Sequence, residues 1–500
     1  MIKCSQNKDF EETSLPDTTD WAAIKWHKVI KYVDKLQKQI YRAESEKDFR
    51  KVRHLQIILI NSKAVLLLAI RKVTQINKGK KTPGIDGFRV LNDKRRAELF
   101  DTMKYMNIEL HNPKPAYRKY ITKKNGKFRS LGIPVIKDRI YQEIIRTALE
   151  PQAEVNFEPI SYGFRPKRGC HDASVRIMLN IMPGNWSWIF EGDFKSCFDT
   201  LDHNFILKSI KGFPLYKLVE KFLNAGYVDK NVLYNSDRGT PQGGILSPLL
   251  ANIALNGMEK VLNITYRKRT RNGKVSYETK GDYCVVRYAD DFVIFAKSKE
   301  DIEAIPDILS PYLEERGLEL AEDKTRITHI LEGFDFLGFN FRRYKTFNGF
   351  KHLCKPSKKS INQFKSKVSE ICRQFNGHNV DTLIKRLNSL IRGTANYWKA
   401  HVAKDIFSAM DNYIWRKTYK FVRRLHSDKP WYWIKEKYYP FYDDGKHYGN
   451  WILTGPKEGN VLIKMAWTPI QRHAMIQHNN SPYDKSKSEY FEKRKSNCLG

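Results

Sequence analysis

Apolar residues near the start of the chain recur at helical spacing. Trp21, Ile24, Val29, Val33, Leu36 and Ile40 fall on one face and predict an amphipathic helix over 21–46. A second helix is predicted over 48–77. Its most apolar part, Leu55 to Ile70, is interrupted by Gln56, Asn61, Ser62 and Lys63, which makes it a packed helix rather than a membrane span. Residues 1–20 have no such period and read as a disordered tail, too acidic at Asp9, Glu11, Glu12 and Asp17 for a signal peptide. The turn Thr82-Pro83-Gly84-Ile85-Asp86-Gly87 ends the helical region. From Phe88 to about Phe347, strand-like and helix-like patterns alternate irregularly, which predicts an α+β arrangement rather than a doubly wound sheet. Within it, 263–283 reads as a basic turn. Helical spacing returns over 357–425, with Ile361, Phe364, Val368, Ile371 and Phe375 three or four apart. After Pro430 an aromatic, Gly-punctuated stretch runs to about Tyr483, and 484–500 is charged and reads as loose.

The strand-like runs place carboxylates at their ends. Tyr288-Ala289-Asp290-Asp291 lies between Cys284-Val285-Val286 and Phe292-Val293-Ile294-Phe295, so Asp290 and Asp291 sit at the tip of a predicted hairpin. A lone acidic turn of this kind is most often only solvated. Far upstream, however, the apolar run Trp188-Ile189-Phe190 leads into Asp193. Three carboxylates at the ends of neighbouring strands can hold two divalent ions for in-line displacement at a phosphate. Mg²⁺ takes oxygen ligands, and the backbone carbonyl of Phe194 offers another. Two further segments fit that chemistry, although each taken alone reads equally well as an ordinary turn. Gly239-Thr240-Pro241-Gln242-Gly243-Gly244 opens a loop that lets backbone approach a nucleotide or template, and the apolar residues after it continue as a helix. Lys123-Lys124-Asn125-Gly126-Lys127 signals a tight basic hairpin that could fold over a triphosphate.

Charge narrows the partner. The 500 residues, enough for two to four domains, carry 89 Lys+Arg against 55 Asp+Glu, a formal net charge of +34. That excess is beyond what solubility needs and points to a polyanion. With 26 Tyr and 10 Trp interleaved among the cations, the composition suits phosphate neutralisation combined with base stacking. The seven cysteines (Cys4, Cys170, Cys197, Cys284, Cys354, Cys372, Cys498) are scattered without C-x-x-C or zinc spacing. This excludes a disulfide scaffold and indicates a reducing compartment.

Five blocks occur in one order: Arg129-Ser130-Leu131-Gly132-Ile133-Pro134 followed by Asp138-Arg139, Ser161-Tyr162-Gly163-Phe164-Arg165-Pro166, Thr240-Pro241-Gln242-Gly243-Gly244, Tyr288-Ala289-Asp290-Asp291, and Phe336-Leu337-Gly338-Phe339. In that order they resemble group II intron reverse transcriptases, over roughly residues 20–485. The resemblance implies a right-hand polymerase of α+β class, with fingers and palm at 118–350 and an N-terminal helical extension with an extra loop at 21–117. A helical thumb or maturase domain at 351–428 contains Ile391-Arg392-Gly393-Thr394-Ala395-Asn396-Tyr397-Trp398, and a small DNA-binding region at 429–485 precedes the tail 486–500. It implies that Asp193, Asp290, Asp291 and the Phe194 carbonyl bind two Mg²⁺ ions. Phe198, five residues after Asp193, matches a gate against the ribose 2′-hydroxyl, and Gln242 lines the nucleotide pocket. Lys123 and Arg129 match cations on the triphosphate, Lys324 a lysine near the leaving pyrophosphate, and Leu337, Gly338 and Phe339 the primer grip.

The implied activity is RNA-directed DNA synthesis from dNTPs on an RNA template and a DNA primer. The same resemblance implies maturase binding of the intron RNA and retrohoming into target DNA by target-primed reverse transcription. It places the protein in a bacterial cytoplasm, at the nucleoid, or in an organelle. Many relatives continue into an HNH nuclease; no cysteine pair for one is present before Cys498-Leu499-Gly500, so either the lineage lacks the nuclease or the chain is truncated, and His473 and His478 are expected to be DNA-facing or structural. Two alternatives remain: a splicing-only maturase, against which Asp193, Asp290, Asp291 and Gln242 count, and a free-standing defence-type reverse transcriptase. Phe198 counts against an RNA-dependent RNA polymerase.

Overall fold

The computed structural model describes residues 20–122, 126, 128–182, 186–271 and 274–499. The expected disordered tail, apart from Asp20, lies outside them, as does Lys123. The chain divides into two compact units: Met1–Gly169 with Phe190–Ile327 and Ile476–Gly500, and Cys170–Ile189 with Thr328–Met475. These divisions do not follow the contiguous boundaries read from the sequence.

In the first unit the N-terminal helices are Trp26–Ser45, Phe49–Ile60 and Lys63–Arg71. The long helix expected over 48–77 is thus split. Ser62 breaks it, because its hydroxyl accepts the Val65 N–H at 3.2 Å and starts a new helix instead of continuing the old one. All three pack on the helix Ile136–Asn156. There Gln37 and Gln56 donate to the Thr147 and Ala148 carbonyls at 2.8 and 3.3 Å, so these polar side chains are tolerated in the contact.

Two sheets follow. One runs in the order Phe128–Ile133, Ala116–Thr122, Tyr227–Asp229, Val232–Tyr234. Its first pair is the antiparallel basic hairpin, in register from Tyr117 opposite Ile133 to Thr122 opposite Phe128. The other runs Arg326–His329, Trp188–Gly192, Asp291–Ala296, Tyr283–Tyr288. Val285, Val286, Val293, Ile294 and Phe295 are fully buried, so this hairpin forms the core and explains why its residues are apolar on both faces.

Two segments differ from the sequence reading. Residues 263–283 are not a turn but an antiparallel ribbon, Thr265–Arg271 against Lys274–Lys280. Arg269 pairs across it with Glu278 at 2.6 Å, so its charges alternate by partner rather than marking a loop. The charged tail is not loose: Ser488–Leu499 is a helix, supported by the Glu489–Lys493 pair at 2.6 Å. Tyr490 accepts the Gln477 N–H at 2.8 Å, and Arg494 donates to the Lys167 carbonyl at 2.7 Å.

In the second unit, Phe334–Phe336, Phe339–Thr346 and Gly349–Pro356 form an antiparallel meander. The helices Lys358–Gln374, Val380–Trp398 and Lys404–Leu425 come next, as their spacing predicts. The aromatic stretch after the helix Trp431–Tyr438 has almost no sheet. Buried side chains order it instead: Asp381 accepts the N–H groups of Lys457, Glu458 and Asn460 at 3.2–3.3 Å. Gly455 is required beside it, because a Cβ there would stand 1.9 Å from an Asp381 oxygen.

A histidine cluster lies in this unit. His401 pairs with Ser174 at 2.8 Å and packs edge-on against Phe339, with ring centroids 4.8 Å apart. Burial, with repulsion from His171 and His473, pushes its imidazole down from 6.5 to about 4. The folded protein therefore holds this proton more weakly than the unfolded chain. The stabilisation is complete above about pH 6.5 and is lost as pH falls toward 4. The melting temperature is expected to drop across that interval, and His401→Phe is expected to flatten the drop in a pH series of thermal melts. His473 bonds Asp172 at 3.0 Å, which favours the structural side of its expected role. In the first unit His478 stacks on Tyr277, 3.9 Å between centroids, and is structural likewise. Among the described residues no helix is long and apolar enough to cross a membrane.

Candidate active site

The turn between Tyr283–Tyr288 and Asp291–Ala296 has two residues, since Tyr288 pairs directly with Asp291. Ala289 takes φ +59°, a conformation that favours glycine and costs an alanine on the order of 1 kcal/mol. Something must hold it, and the backing is a buried polar network. Arg287, 0% exposed, donates from one Nη1 to the Ala289 carbonyl and to Asn252 Oδ1, both at 3.2 Å. Asn252 in turn donates to the Gly163 carbonyl at 2.8 Å. Segment 160–162 lies alongside as a short ladder, with Arg287 N–H donating to the Ile160 carbonyl and Tyr162 N–H to that of Arg287. A Cβ on Gly163 would stand 2.4 Å from the Ala289 nitrogen, so the turn rests directly on glycine backbone.

Asp193 follows Trp188–Gly192, the strand next to Asp291–Ala296 in the sheet, so the three carboxylates emerge from neighbouring strand ends. Gly192 is dictated by the packing, since a Cβ would meet the Phe292 ring at 2.2 Å. The Asp193 carbonyl accepts the Ala321 N–H at 2.8 Å, and Phe194 bridges Leu320. This brings Lys324 over the site, where its ammonium bonds Asp193 Oδ2 at 2.5 Å and is held above the usual lysine range by it.

The electrostatics are those of crowded anions. Burial, and then the neighbouring Asp290 and Asp193, push Asp291 up to about 6; Lys324 and Arg129 oppose the shift. Asp290 is raised as well, first by burial, then by Asp193, with Arg129 and Lys324 again opposing. Among the described residues no group of three or more His, Cys, Asp and Glu side chains forms a ready-made metal cage. The donor set nevertheless fits a hard divalent cation: all oxygen, mutually repelling, and already drawing an ammonium that stands in for a metal charge on Asp193.

The same unit has a cavity of about 510 Å³, lined by Phe198, Asp199, Gln242, Arg118, Ser130 and Arg238, with Phe198 five residues after Asp193. The Phe198 carbonyl accepts the Thr240 N–H at 2.6 Å, and the Gln242 carbonyl accepts the Gly132 N–H at 2.7 Å. The Gly-rich loop is thereby tied at one end to the Phe198 helix and at the other to the basic hairpin. Gly243, at φ +120°, is needed there because a Cβ would meet the Gly132 carbonyl at 2.8 Å.

The structure thus gathers Asp193, Phe194, Phe198, Gln242, Asp290, Asp291, Arg129 and Lys324 in one unit. Leu337, Gly338 and Phe339 belong to the other. There Leu337 and Gly338 make a two-residue turn with φ +48° and +80°, which is type I′. Tyr397 donates to the Leu337 carbonyl at 2.7 Å and Ser360 to the Gly338 carbonyl at 2.8 Å, so the strained leucine is fixed from both sides. Sequence reasoning assigned no part to Gly163, Asn252, Arg287, Asp199 or Arg238. The signal for Gly163 was present, since it lies inside Ser161-Tyr162-Gly163-Phe164-Arg165-Pro166.

Comparison with known proteins gives this geometry a lineage. The profile "Reverse transcriptase (RNA-dependent DNA polymerase)" matches residues 121–341, "N-terminal domain of reverse transcriptase" residues 21–103, and "Group II intron, maturase-specific domain" residues 361–439. The chain is 35% identical to Protein YkfC of Escherichia coli over 55% of this chain and 80% of that protein. It is 32% identical to the group II intron-encoded protein LtrA of Lactococcus lactis, over 64% of this chain and 66% of that one. It is 28% identical to the putative COX1/OXI3 intron 2 protein of Saccharomyces cerevisiae, over 57% of this chain and 38% of that one. The three profiles follow one another along the chain, the central one containing the acidic turn and the other two lying on either side of it, so the chain belongs to the group II intron reverse transcriptases, RNA-directed DNA polymerases of right-hand α+β fold that carry a maturase domain.

Proposed function

We propose that Asp193, Asp290 and Asp291, with the Phe194 carbonyl, hold two Mg²⁺ ions, and that the cavity lined by Phe198 and Gln242 receives the incoming deoxynucleotide. The observation that carries this reading is geometric: Asp193 and the Asp290-Asp291 turn lie at the ends of neighbouring strands of one sheet, with the Lys324 ammonium already drawn to Asp193. Lys324 and Arg129 offset part of the crowding of these carboxylates, and bound cations would offset more. When bound, the ions would activate a primer 3′-hydroxyl and stabilise the leaving pyrophosphate. The chain's own residues do the rest. Arg129, whose charge reaches both turn carboxylates, draws the triphosphate toward them. Lys324 exchanges its bond to Asp193 for the leaving phosphates. Gln242 lines the base and sugar end of the cavity, with the Thr240–Phe198 bond fixing the floor. Lys123, on the same hairpin, is proposed as a second phosphate cation, and Leu337, Gly338 and Phe339 as the primer grip.

Phe198 lines that cavity half-buried, with its backbone pinned, and is proposed to clash with a ribose 2′-hydroxyl. Phe198→Ala is expected to raise ribonucleotide incorporation roughly a hundredfold relative to deoxynucleotide, about the discrimination a steric clash gives. Competing rNTP and dNTP in a primer-extension assay measures it; unchanged sugar selectivity would remove the gate.

The wider cycle is proposed on the maturase-specific match. The helices after Pro356 bind the intron RNA and promote its splicing. Residues 429–485 contact target DNA, whose 3′ end primes copying of the RNA during retrohoming. Its place of action is the nucleoid of a bacterial cytoplasm or the interior of an organelle.

A further inference from the structure

The second unit contains a cavity of about 760 Å³, remote in sequence from the carboxylates and lined by the helix Lys404–Leu425 and the stretch after Pro430. Its walls are aromatic. Trp431 and Trp451 stack on each other, with ring centroids 5.5 Å apart and planes 5° from parallel, and Trp451 meets Trp415 edge-on at 6.2 Å. Trp415 stacks on Tyr419 at 5.4 Å. The polar complement is small. Asp411 is fixed by the Met465 and Ala466 N–H groups at 2.7 and 2.9 Å, and the enclosed Trp415 Nε1–H has no acceptor among the described residues. Trp451 is 42% exposed and takes φ +69°, a conformation that bulky residues adopt rarely and that concentrates at binding sites. The Lys435 ammonium lies over its ring at 5.3 Å, and the Lys404 and Lys464 charges reach Asp411.

A core would not leave its tryptophan faces open under a lysine. The geometry points to a pocket that captures one unstacked nucleobase of a single-stranded nucleic acid, stacking it on Trp451 while Lys435 moves to the adjoining phosphate. A flat occupant fits the open face of Trp451, which Trp431 backs from the other side, whereas an aliphatic segment would leave that ring face half used. The rim cations and the net charge of +34 supply the complement to a phosphate chain. The inference rests on reading this region as contacting nucleic acid and uses nothing from the carboxylate site. Cation replacement at the turn and base capture here can therefore fail separately.

The test uses the full chain, titrated with a short oligoadenylate, as RNA and as DNA, and with an abasic strand of equal length and charge. Removal of the bases is expected to weaken wild-type binding about tenfold, the scale of one stacked base. Trp451→Ala is expected to abolish most of that difference and Trp451→Phe to restore it. Asn412→Trp, which fills the cavity mouth from an exposed position, reproduces the loss without removing a wall. The base-dependent difference, seen with RNA, with DNA or with both, identifies the strand. The proposal is overturned if Trp451→Ala and Asn412→Trp keep the wild-type preference for base-bearing strands, or if neither RNA nor DNA shows a preference.

Discussion

Asp290→Asn is expected to reduce cDNA synthesis by on the order of a thousandfold or more, because under the proposed two-metal reading it removes a ligand charge and forfeits several kcal/mol of transition-state stabilisation. The substitution is isosteric and lies in a turn held by the Arg287 network, so the melting temperature should move little. RNA affinity should stay within a few-fold, since the phosphate contacts lie elsewhere. A second readout separates the electrostatic account from a trivial one. Asp290 is a principal repulsive neighbour of Asp291, so neutralising it should bring the Asp291 carboxyl down from about 6 in the metal-free protein, as seen in a carbon-13 NMR titration. Initial rates on an RNA template with an annealed DNA primer test the first expectation. Synthesis near the wild-type rate would remove the metal assignment, and an unmoved Asp291 titration would show that burial alone sets its value.

Gly163→Ala should be nearly as damaging without touching a charged group. The added methyl would lie 2.4 Å from the Ala289 nitrogen and 2.9 Å from its Cβ, and neither is the end of a flexible side chain. The strained turn must move, and Asp290 and Asp291 move with it. Displacing reacting groups by about 1 Å can lower a rate on the order of a hundredfold. Overpacking at such a contact lowers stability by roughly 1–3 kcal/mol. The expected signature is a fall in kcat of ten- to a hundredfold, with KM for dNTP changed much less, together with a lower melting temperature. An unchanged kcat in a folded protein would show that the turn is not braced from behind.

These two substitutions mark what the chain discloses about itself. The acidic hairpin is legible because short apolar runs on both sides of Asp290 and Asp291 read as a strand pair. Asp193 is legible for the same reason. The Gly-rich loop is legible as a loop, but Gly243 and Gly192 owe their identity to the Gly132 carbonyl and the Phe292 ring, which are distant in sequence. Arg287 has no signature at all. An arginine within Cys284-Val285-Val286-Arg287-Tyr288 looks like a solvent-facing strand residue until Asn252 and the Ala289 carbonyl are found beside it. The break at Ser62 was hidden by apolar periodicity, which a cap can interrupt without altering. The ribbon at 265–280 was hidden by charge density, because arginines paired across strands read singly as loop residues.

The first unit is assembled from three stretches of chain, the last beginning at Ile476. That stretch is sewn in by Tyr483 donating to Glu150 at 2.6 Å, by Arg168 donating to the His478 carbonyl at 2.7 Å, and by Gln477 donating to the Val275 carbonyl at 2.7 Å. A ribosome makes those residues long after it has made the acidic turn. The half of the protein that holds Asp193 and Asp290 therefore stays open at this seam for most of its own synthesis. Its closure is a late event that waits on the completion of the other unit.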